Sequence, residues 1–241
     1  MFFNFIKRTI DITACVSEDF AFAEKFYPIV PSSKFIPDWW KNTPKSKFNF
    51  EEFRNVRTVR SCPGIMGTFK NGYIQPLWSD LAFKHEDENY WRYQFADNLS
   101  EIDIHSSEQF VNFYKNYNFY KVNSPWLIRS SENIKFLMVD PFYLFDKPKP
   151  YIIPYGFLDG KVISSNFFFF VEKNLGVKEF LLKSGIPTIQ IIPITEKTIN
   201  FKTEVVSNRE FKLLSNTYKV RKFSNVGIET RKILSNLKKK I

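Results

Sequence analysis

YIIPYGFLDGKVISSNFFFFVEKNLGVKEFLLKSGIPTIQIIPITEKTINFKTEVV, residues 151–206, decides the fold class. Its β-branched and aromatic runs are short, at 151–158, 161–171, 186–194 and 198–206. Asp159-Gly160 and Ser184-Gly185 punctuate them as turns. Upstream, 119–129 and 134–139 continue the pattern, with breaks expected at Glu132-Asn133 and Asp146–Pro150. No helix-length periodicity lies between the runs, which argues against a parallel sheet with helical crossovers. The expected class is mainly β: a jelly-roll or sandwich-like antiparallel domain with short helices. Asn166–Val171 is apolar on both faces, so it is either a central strand or an edge covered by a neighbouring subunit.

Ser61–Asp80, SCPGIMGTFKNGYIQPLWSD, holds the densest local punctuation. Cys62 or Ser61 is placed to cap a short helix with Pro63 in its first position, and Gly72 to end it in the left-handed conformation. Tyr73–Phe83 then reads as one strand, with Pro76 at an edge or a bulge. After a polar turn over Lys84–Asn89, the strand Tyr90–Ala96 puts Trp91, Tyr93 and Phe95 on one face and completes a hairpin.

The remaining chain fits around these runs. Residues 9–16 alternate as a first strand, and 17–50 is irregular, broken by Pro28, Pro31, Pro37 and Pro44. Its aromatic residues, Trp39 and Trp40 among them, are expected to lie on the core. The Ser106–Gln109 stretch and Ser207/Glu210 carry capping-box spacings, each followed by apolar residues at helical intervals. A last helix is expected at about 228–240. The chain thus divides into a β-rich domain over 1–206 and a helical, basic extension over 207–241.

Charge is unevenly distributed. Residues 205–241 carry ten Lys and Arg against Glu210 and Glu229, a net +8 of the chain's +10. Lys219, Arg221, Lys222, Arg231, Lys232, Lys238, Lys239 and Lys240 are the candidate partner-binding residues, toward nucleic acid or an acidic protein surface. Lys outnumbers Arg 26 to 9 and Phe reaches 28, a bias that an A/T-rich coding sequence also produces. Two cysteines are no disulfide framework. The longest apolar run, Phe167–Val171, is far too short to span a bilayer, so a soluble protein with no membrane partner is expected.

Candidate chemistry is sparse. His85-Glu86-Asp87 is an H-x-D, which with His105 could form an iron site of the facial-triad kind. Cys62 at a helix start could be an activated thiol, though a buried structural cysteine fits better. Glu101, Asp103 and His105 would share one face of a strand and could hold a divalent cation. Against these stand a solvated turn and a polar strand face. There is no phosphate-cradling glycine loop and no dinucleotide fingerprint, so no cofactor is expected.

FIPDWWKNTP, TVRSCPGIMGTFKNGYIQPLWSDL, WRYQF, SEID-H, SPW, PFY and SGIPTIQIIPI, in that order over residues 30–205, resemble a family of uncharacterised proteins. The family is found mainly in tailed phages, especially those of marine bacteria. Ser184–Pro193 is also similar to one strand of trimeric dUTPase-like jelly rolls. The phage resemblance implies a viral origin, in the virion or the host cytoplasm, and brings no catalytic residues with it. The first expectation is a non-enzymatic virion component or interaction module that binds itself or other viral proteins. An enzyme on a jelly-roll-like scaffold, either an iron/2-oxoglutarate oxygenase or a nucleotide hydrolase, is the alternative. Nucleic-acid binding through the basic C-terminus is a third.

Overall fold

A computed structural model describes residues 9–87, 90–106, 109, 115–144 and 149–219. The strands in its first half are β1 (Thr9–Ser17), β2 (Val30–Pro31), β3 (Ser46–Asn49), β4 (Arg54–Arg57), β5 (Tyr73–Pro76), β6 (Leu81–Asp87), β7 (Tyr90–Phe95) and β8 (Glu101–His105). The second half adds β9 (Tyr117–Asn123), β10 (Leu127–Val139), β11 (Tyr151–Ile152), β12 (Gly156–Ser164), β13 (Phe167–Glu172), β14 (Glu179–Leu182), β15 (Pro187–Ile194) and β16 (Thr198–Val206). Short helices α1 (Ala21–Phe26), α2 (Asp38–Asn42) and α3 (Pro63–Lys70) interrupt the first half, and α4 covers 208–219. The fold is mainly β, as the spacing of 119–206 predicts.

β10 is the hub. One of its edges pairs with β12 along both halves. The other takes β1 opposite Leu127–Ser130 and β15 opposite Lys135–Val139. The seven-stranded sheet runs β16-β1-β10-β15-β5-β2, antiparallel except for the parallel pair β1–β16. It curls strongly. Tyr73 on β5 stacks on Phe201 of β16 with ring centroids 3.8 Å apart, although β1, β10 and β15 lie between those strands. The half-barrel interior is filled by Ile12, Ala14, Val16, Ile128, Met138 and Ile191, all buried. Each inward residue sits at the period of two that a strand imposes.

A three-stranded sheet, β14-β6-β7, packs on a four-stranded one, β11-β13-β9-β8. Phe83 is the wedge between them, edge-on to Tyr120 at 5.2 Å and to Phe169 at 6.1 Å. Tyr120 donates its hydroxyl hydrogen to the Trp91 carbonyl at 2.6 Å, and Trp91 Nε1 donates to the Glu172 carbonyl, so the polar atoms of these two rings are satisfied. Within this layer Phe167–Val171 is a central strand, flanked by β11 and β9. On one face Phe167, Phe169 and Val171 belong to the hydrophobic core; on the other Phe170 is buried and Phe168 half-buried.

Several expectations are corrected. Tyr73–Phe83 is two strands in two sheets. Pro76 ends β5, and Leu77–Asp80 carries the chain across. There Leu77 N donates to the Ile186 carbonyl (2.8 Å) and Gly185 N to the Leu77 carbonyl (2.7 Å), which clamps the corner. Glu132-Asn133 and Asp159-Gly160 are not breaks. A bulge between Arg129 and Ile134 absorbs the first, and the second sits inside the β10–β12 ladder. The hairpin β3–β4 and strand β14 were not anticipated, and 17–50 holds short helices. Tyr117 begins β9, whereas 107–108 and 110–114 of the expected helix lie outside the described residues. Ser207 does cap α4, accepting from Glu210 N at 3.2 Å, but the Glu210 carboxylate pairs with Arg129.

Asp80 fastens the sheet-switching corner. Its carboxylate accepts from Ser184 N (2.7 Å) and from Lys183 Nζ (2.9 Å). The Ser184 amide first, and the Lys183 ammonium next, hold its pKa down to about 2. An unfolded aspartate titrates at about 3.9. The unfolded chain therefore takes up this proton first as pH falls. The carboxylate's stabilisation is complete above the unfolded value and is lost as pH drops through the folded one. Urea midpoints compared at pH 6 and pH 3 should fall less in Asp80→Asn than in the wild type. Equal falls would remove Asp80 from the acid limb.

Candidate functional site

The histidines do not form the expected centre. His85 lies within β6 rather than in a turn, its ring 4.7 Å from Trp91, and its buried Nε2 meets no hydrogen-bond partner among the described residues. Asp87 ends the same strand, and its side chain lies outside the described residues. His105 ends β8, on a different sheet, with Nδ1 bonded to Gln109 and its ring 5.2 Å from Phe168. Among the described residues no three His, Cys, Asp or Glu side chains come together. Glu101, Asp103 and His105 do alternate on a strand, but the Asp103 carboxylate is held by Lys121 Nζ at 2.8 Å. That ammonium lowers the Asp103 pKa and occupies the place a cation would take.

Cys62 is not the buried structural cysteine expected. Cys62 stands at the start of α3, exposed, and its side chain makes no capping bond. Cys15 is the buried one. Burial pushes its thiol up to about 12, with Glu204 adding to the shift and Arg129 opposing it. Since the thiolate is the reactive form, a native sample should label with iodoacetamide at one thiol, Cys62. The second should react only in denaturant. Two fast thiols in native protein would contradict the placement of Cys15.

Trp39 and Trp40 anchor the N-terminal segment to the core. Trp40 packs on Phe69 of α3 with centroids 4.8 Å apart, and Trp39 Nε1 donates to the Tyr143 carbonyl. Beside them the C-terminal carbonyls of α3, which a helix leaves unpaired, are met by side chains from elsewhere. Ser32 Oγ donates to the Phe69 and Asn71 carbonyls, and Gln190 Nε2 to those of Thr68 (2.8 Å) and Asn71 (2.5 Å). This explains why Ser32 and Gln190, both polar, are buried. A second buried cluster escaped sequence reading. Lys149 pairs with Asp140 and lies 4.9 Å over the Tyr151 ring, closing the end of β10 onto β11. Burial raises the Asp140 pKa and lowers that of Lys149.

The most unusual exposed feature is the hairpin β3–β4, which pairs with no other strand among the described residues. Its base is held rigidly. Arg60 Nη1 donates to the Lys41 (2.6 Å) and Thr43 (2.8 Å) carbonyls, and Ser61 Oγ to the Lys45 carbonyl (2.7 Å). Its tip is Phe50-Glu51-Glu52-Phe53, shaped by Asn49 Oδ1 accepting from the Glu51 and Glu52 amides. Phe53 has φ 50, the one positive φ at a non-glycine residue among those described. For a bulky side chain this conformation is strained by about 1–2 kcal/mol. It turns Phe53 outward beside Phe48, edge-on at 5.7 Å, and Phe48 in turn meets Phe50 edge-on at 5.1 Å. Phe50 and Phe53 are 80% and 83% exposed.

No protein-family model, curated protein or solved structure matches the chain. The site therefore rests on its own geometry.

Two of the surface recesses bear on the candidate residues. One, of about 730 Å³, lies between α4 and the β8–β9 ladder. Its lining mixes the apolar Leu127, Phe211 and Tyr218 with the Asp103–Lys121 pair and Asn166, whose Oδ1 accepts from Ser124 N and Ser164 Oγ. The other, of about 550 Å³, is apolar. Met138, Leu158, Phe168 and Ile189 line it, and Tyr155 stands at its rim, 77% exposed. Of the basic partner-binding candidates, Lys219 is on α4 at the first recess. Arg221, Lys222, Arg231, Lys232, Lys238, Lys239 and Lys240 lie outside the described residues. The aromatic tip was missed because phenylalanine reads as core. The signal available was SKFNFEEFRNVR, 46–57, an alternating run with turn residues at its centre.

Proposed function

We propose that this chain is a non-enzymatic interaction module of a phage-like particle that oligomerises through its β-rich body. The observation that carries the reading is the rigid hairpin with three solvent-facing phenylalanines, one of them held in a strained conformation. Exposed aromatic clusters of this kind mark contact surfaces, and local strain persists where a function uses it. The scattered placement of His85, His105 and Cys62 supports a binding role over an oxygenase or hydrolase. The viral origin rests on the run of motifs from FIPDWWKNTP to SGIPTIQIIPI.

No helix among the described residues is long and apolar enough to cross a membrane. The test is the mass of the purified chain in solution, together with its detection in purified particles. The expected result is a mass above the 28.7 kDa of one chain and co-purification with particles. A monomer absent from particles would overturn the reading.

A further inference from the structure

Resting on the reading of the β3–β4 hairpin as a contact surface, we propose that this hairpin binds single-stranded nucleic acid. Phe50 and Phe53 stack on bases, and the cations of the ribbon meet phosphates. Charge is the first observation that carries this. Residues 34–70 hold eight Lys and Arg against Asp38, Glu51 and Glu52, a net +5. With the +8 of residues 205–241 this exceeds the chain's +10, so the rest of the body is acidic on balance. On the hairpin, Lys45, Lys47, Arg54 and Arg57 are all exposed. Arg54 pairs with Glu52, whereas Lys45, Lys47 and Arg57 join no ion pair among the described residues. Such a cluster of cations attracts a polyanion and releases its counterions on contact.

The register is the second. Ser46 lies opposite Arg57 and Phe48 opposite Asn55, while Lys47 is paired with Val56 and Asn49 with Arg54. Side chains alternate across a strand, so Arg57 shares the Phe48 face and Lys47 and Arg54 take the other. Cations therefore flank the ribbon on both faces, and the rings lead at its tip. Phe50 and Phe53 are 80% and 83% exposed, so a ring face of each is open to a base. Stacking of this kind tolerates any sequence, because every base has a π face. The Arg60 and Ser61 bonds that hold the base of the hairpin lower the ordering cost of binding.

The same features weigh against other partners. A lipid surface would suit rings and cations, but Glu51 and Glu52 sit between Phe50 and Phe53. Sinking both rings into hydrocarbon carries two carboxylates with them, which is costly. Against a single strand the carboxylates stay in water. A protein groove would meet only residues 46–57 here, far fewer than the roughly 20–30 a side of a stable interface. Phosphate contacts and two stacked rings need no such area.

Fluorescence anisotropy of the full chain with labelled oligo(dT) and oligo(rU) of about 16 nucleotides tests this, since such sites span roughly 4–16. The wild type should bind at least one of them more tightly than a duplex of the same length, and the tighter of the two names the sugar. Phe50→Ser with Phe53→Ser should weaken binding about thirtyfold or more. Lys47→Gln with Arg57→Gln should weaken it at low salt and flatten the slope of log affinity against log salt by about 1.4. All four side chains are exposed, so melting curves should stay at the wild-type value. Full-strength binding by either variant would place the contact elsewhere, the basic tail included, and the proposal would be wrong. Equal affinity for duplex, or binding to neither oligomer, is equally fatal. Pelleting with phosphatidylserine vesicles that depends on Phe50 and Phe53, without oligomer binding, would make the tip a lipid anchor instead. Mass in solution and presence in particles are read separately. An oligomer found in particles whose variants bind like wild type keeps the proposed role and loses this one. A monomer absent from particles whose hairpin binds the oligomers does the reverse.

Discussion

Replacing Gly72 by valine should destabilise the protein by about 3 kcal/mol or more, which is a large part of the roughly 5–15 kcal/mol holding a domain folded. Gly72 follows the end of α3 with φ 77, where a β-branched residue is strained by its own backbone. Space adds to the strain. A Cβ at this position would stand 2.4 Å from the Ile191 carbonyl oxygen and 2.9 Å from Ile192 Cγ1, so β15 itself would have to move. The Gly72 carbonyl also accepts from Ser32 N at 3.1 Å, which ties a third segment to the same point. Gly67→Ala is the contrasting variant. It lies inside α3, where an added methyl meets Asn71 Nδ2 at an ordinary 3.6 Å, and it should be neutral or stabilising by up to about 1 kcal/mol. Urea unfolding of both variants checks the pair. A Gly72→Val midpoint equal to wild type would mean that the turn is wrongly placed.

Gln190→Leu is expected to cost about 2–3 kcal/mol, although leucine is the more apolar residue at a fully buried site. The amide serves α3, not the apolar core. Its Nε2 meets the Thr68 and Asn71 carbonyls, and its Oε1 accepts from the Tyr143 hydroxyl. Leucine leaves those carbonyls and the phenol with fewer partners, and an unmet buried polar atom is costlier than the bond it replaces is strong. Gln190→Glu should be at least as harmful, because a carboxylate places acceptors against acceptors. Burial raises the Tyr143 pKa, so that hydroxyl stays protonated and can donate only once. Wild-type stability in Gln190→Leu would show that water satisfies the helix end.

These two sites illustrate what could be read in advance. The turn at Gly72 is local chemistry, carried by Pro63, Gly72 and the spacing between them, and the structure keeps it. The strands at Thr9–Ser17, Tyr90–Phe95 and Pro187–Ile194 were legible for the same local reason, since β-branched and aromatic residues are dense in each run. What could not be read depends on partners far away in the chain. Pro76 ends a strand because Ile186 and Gly185 wait to bond the residue after it. Asp159-Gly160 has the composition of a turn, yet β10 supplies a ladder that holds it extended. Glu132-Asn133 is absorbed by a bulge on the same strand. The site was the least legible part. Phe48, Phe50 and Phe53 have the composition of core residues, and only the strand pairing shows that their hairpin joins no other strand among the described residues.

The pairing of β1 with β16 has a consequence for how the chain comes to be folded. Thr9 lies beside Thr198 and Ser17 beside Val206, so the first strand has no neighbour on that side until the last one exists. At about 5–20 residues added per second, β1 leaves the ribosome on the order of ten seconds or more before its partner. During that interval the half-barrel stands open, because Tyr73 lacks Phe201 to stack on. A chain truncated before Thr198 lacks this pairing and is expected to be less soluble than the full chain, which sedimentation of the two would check.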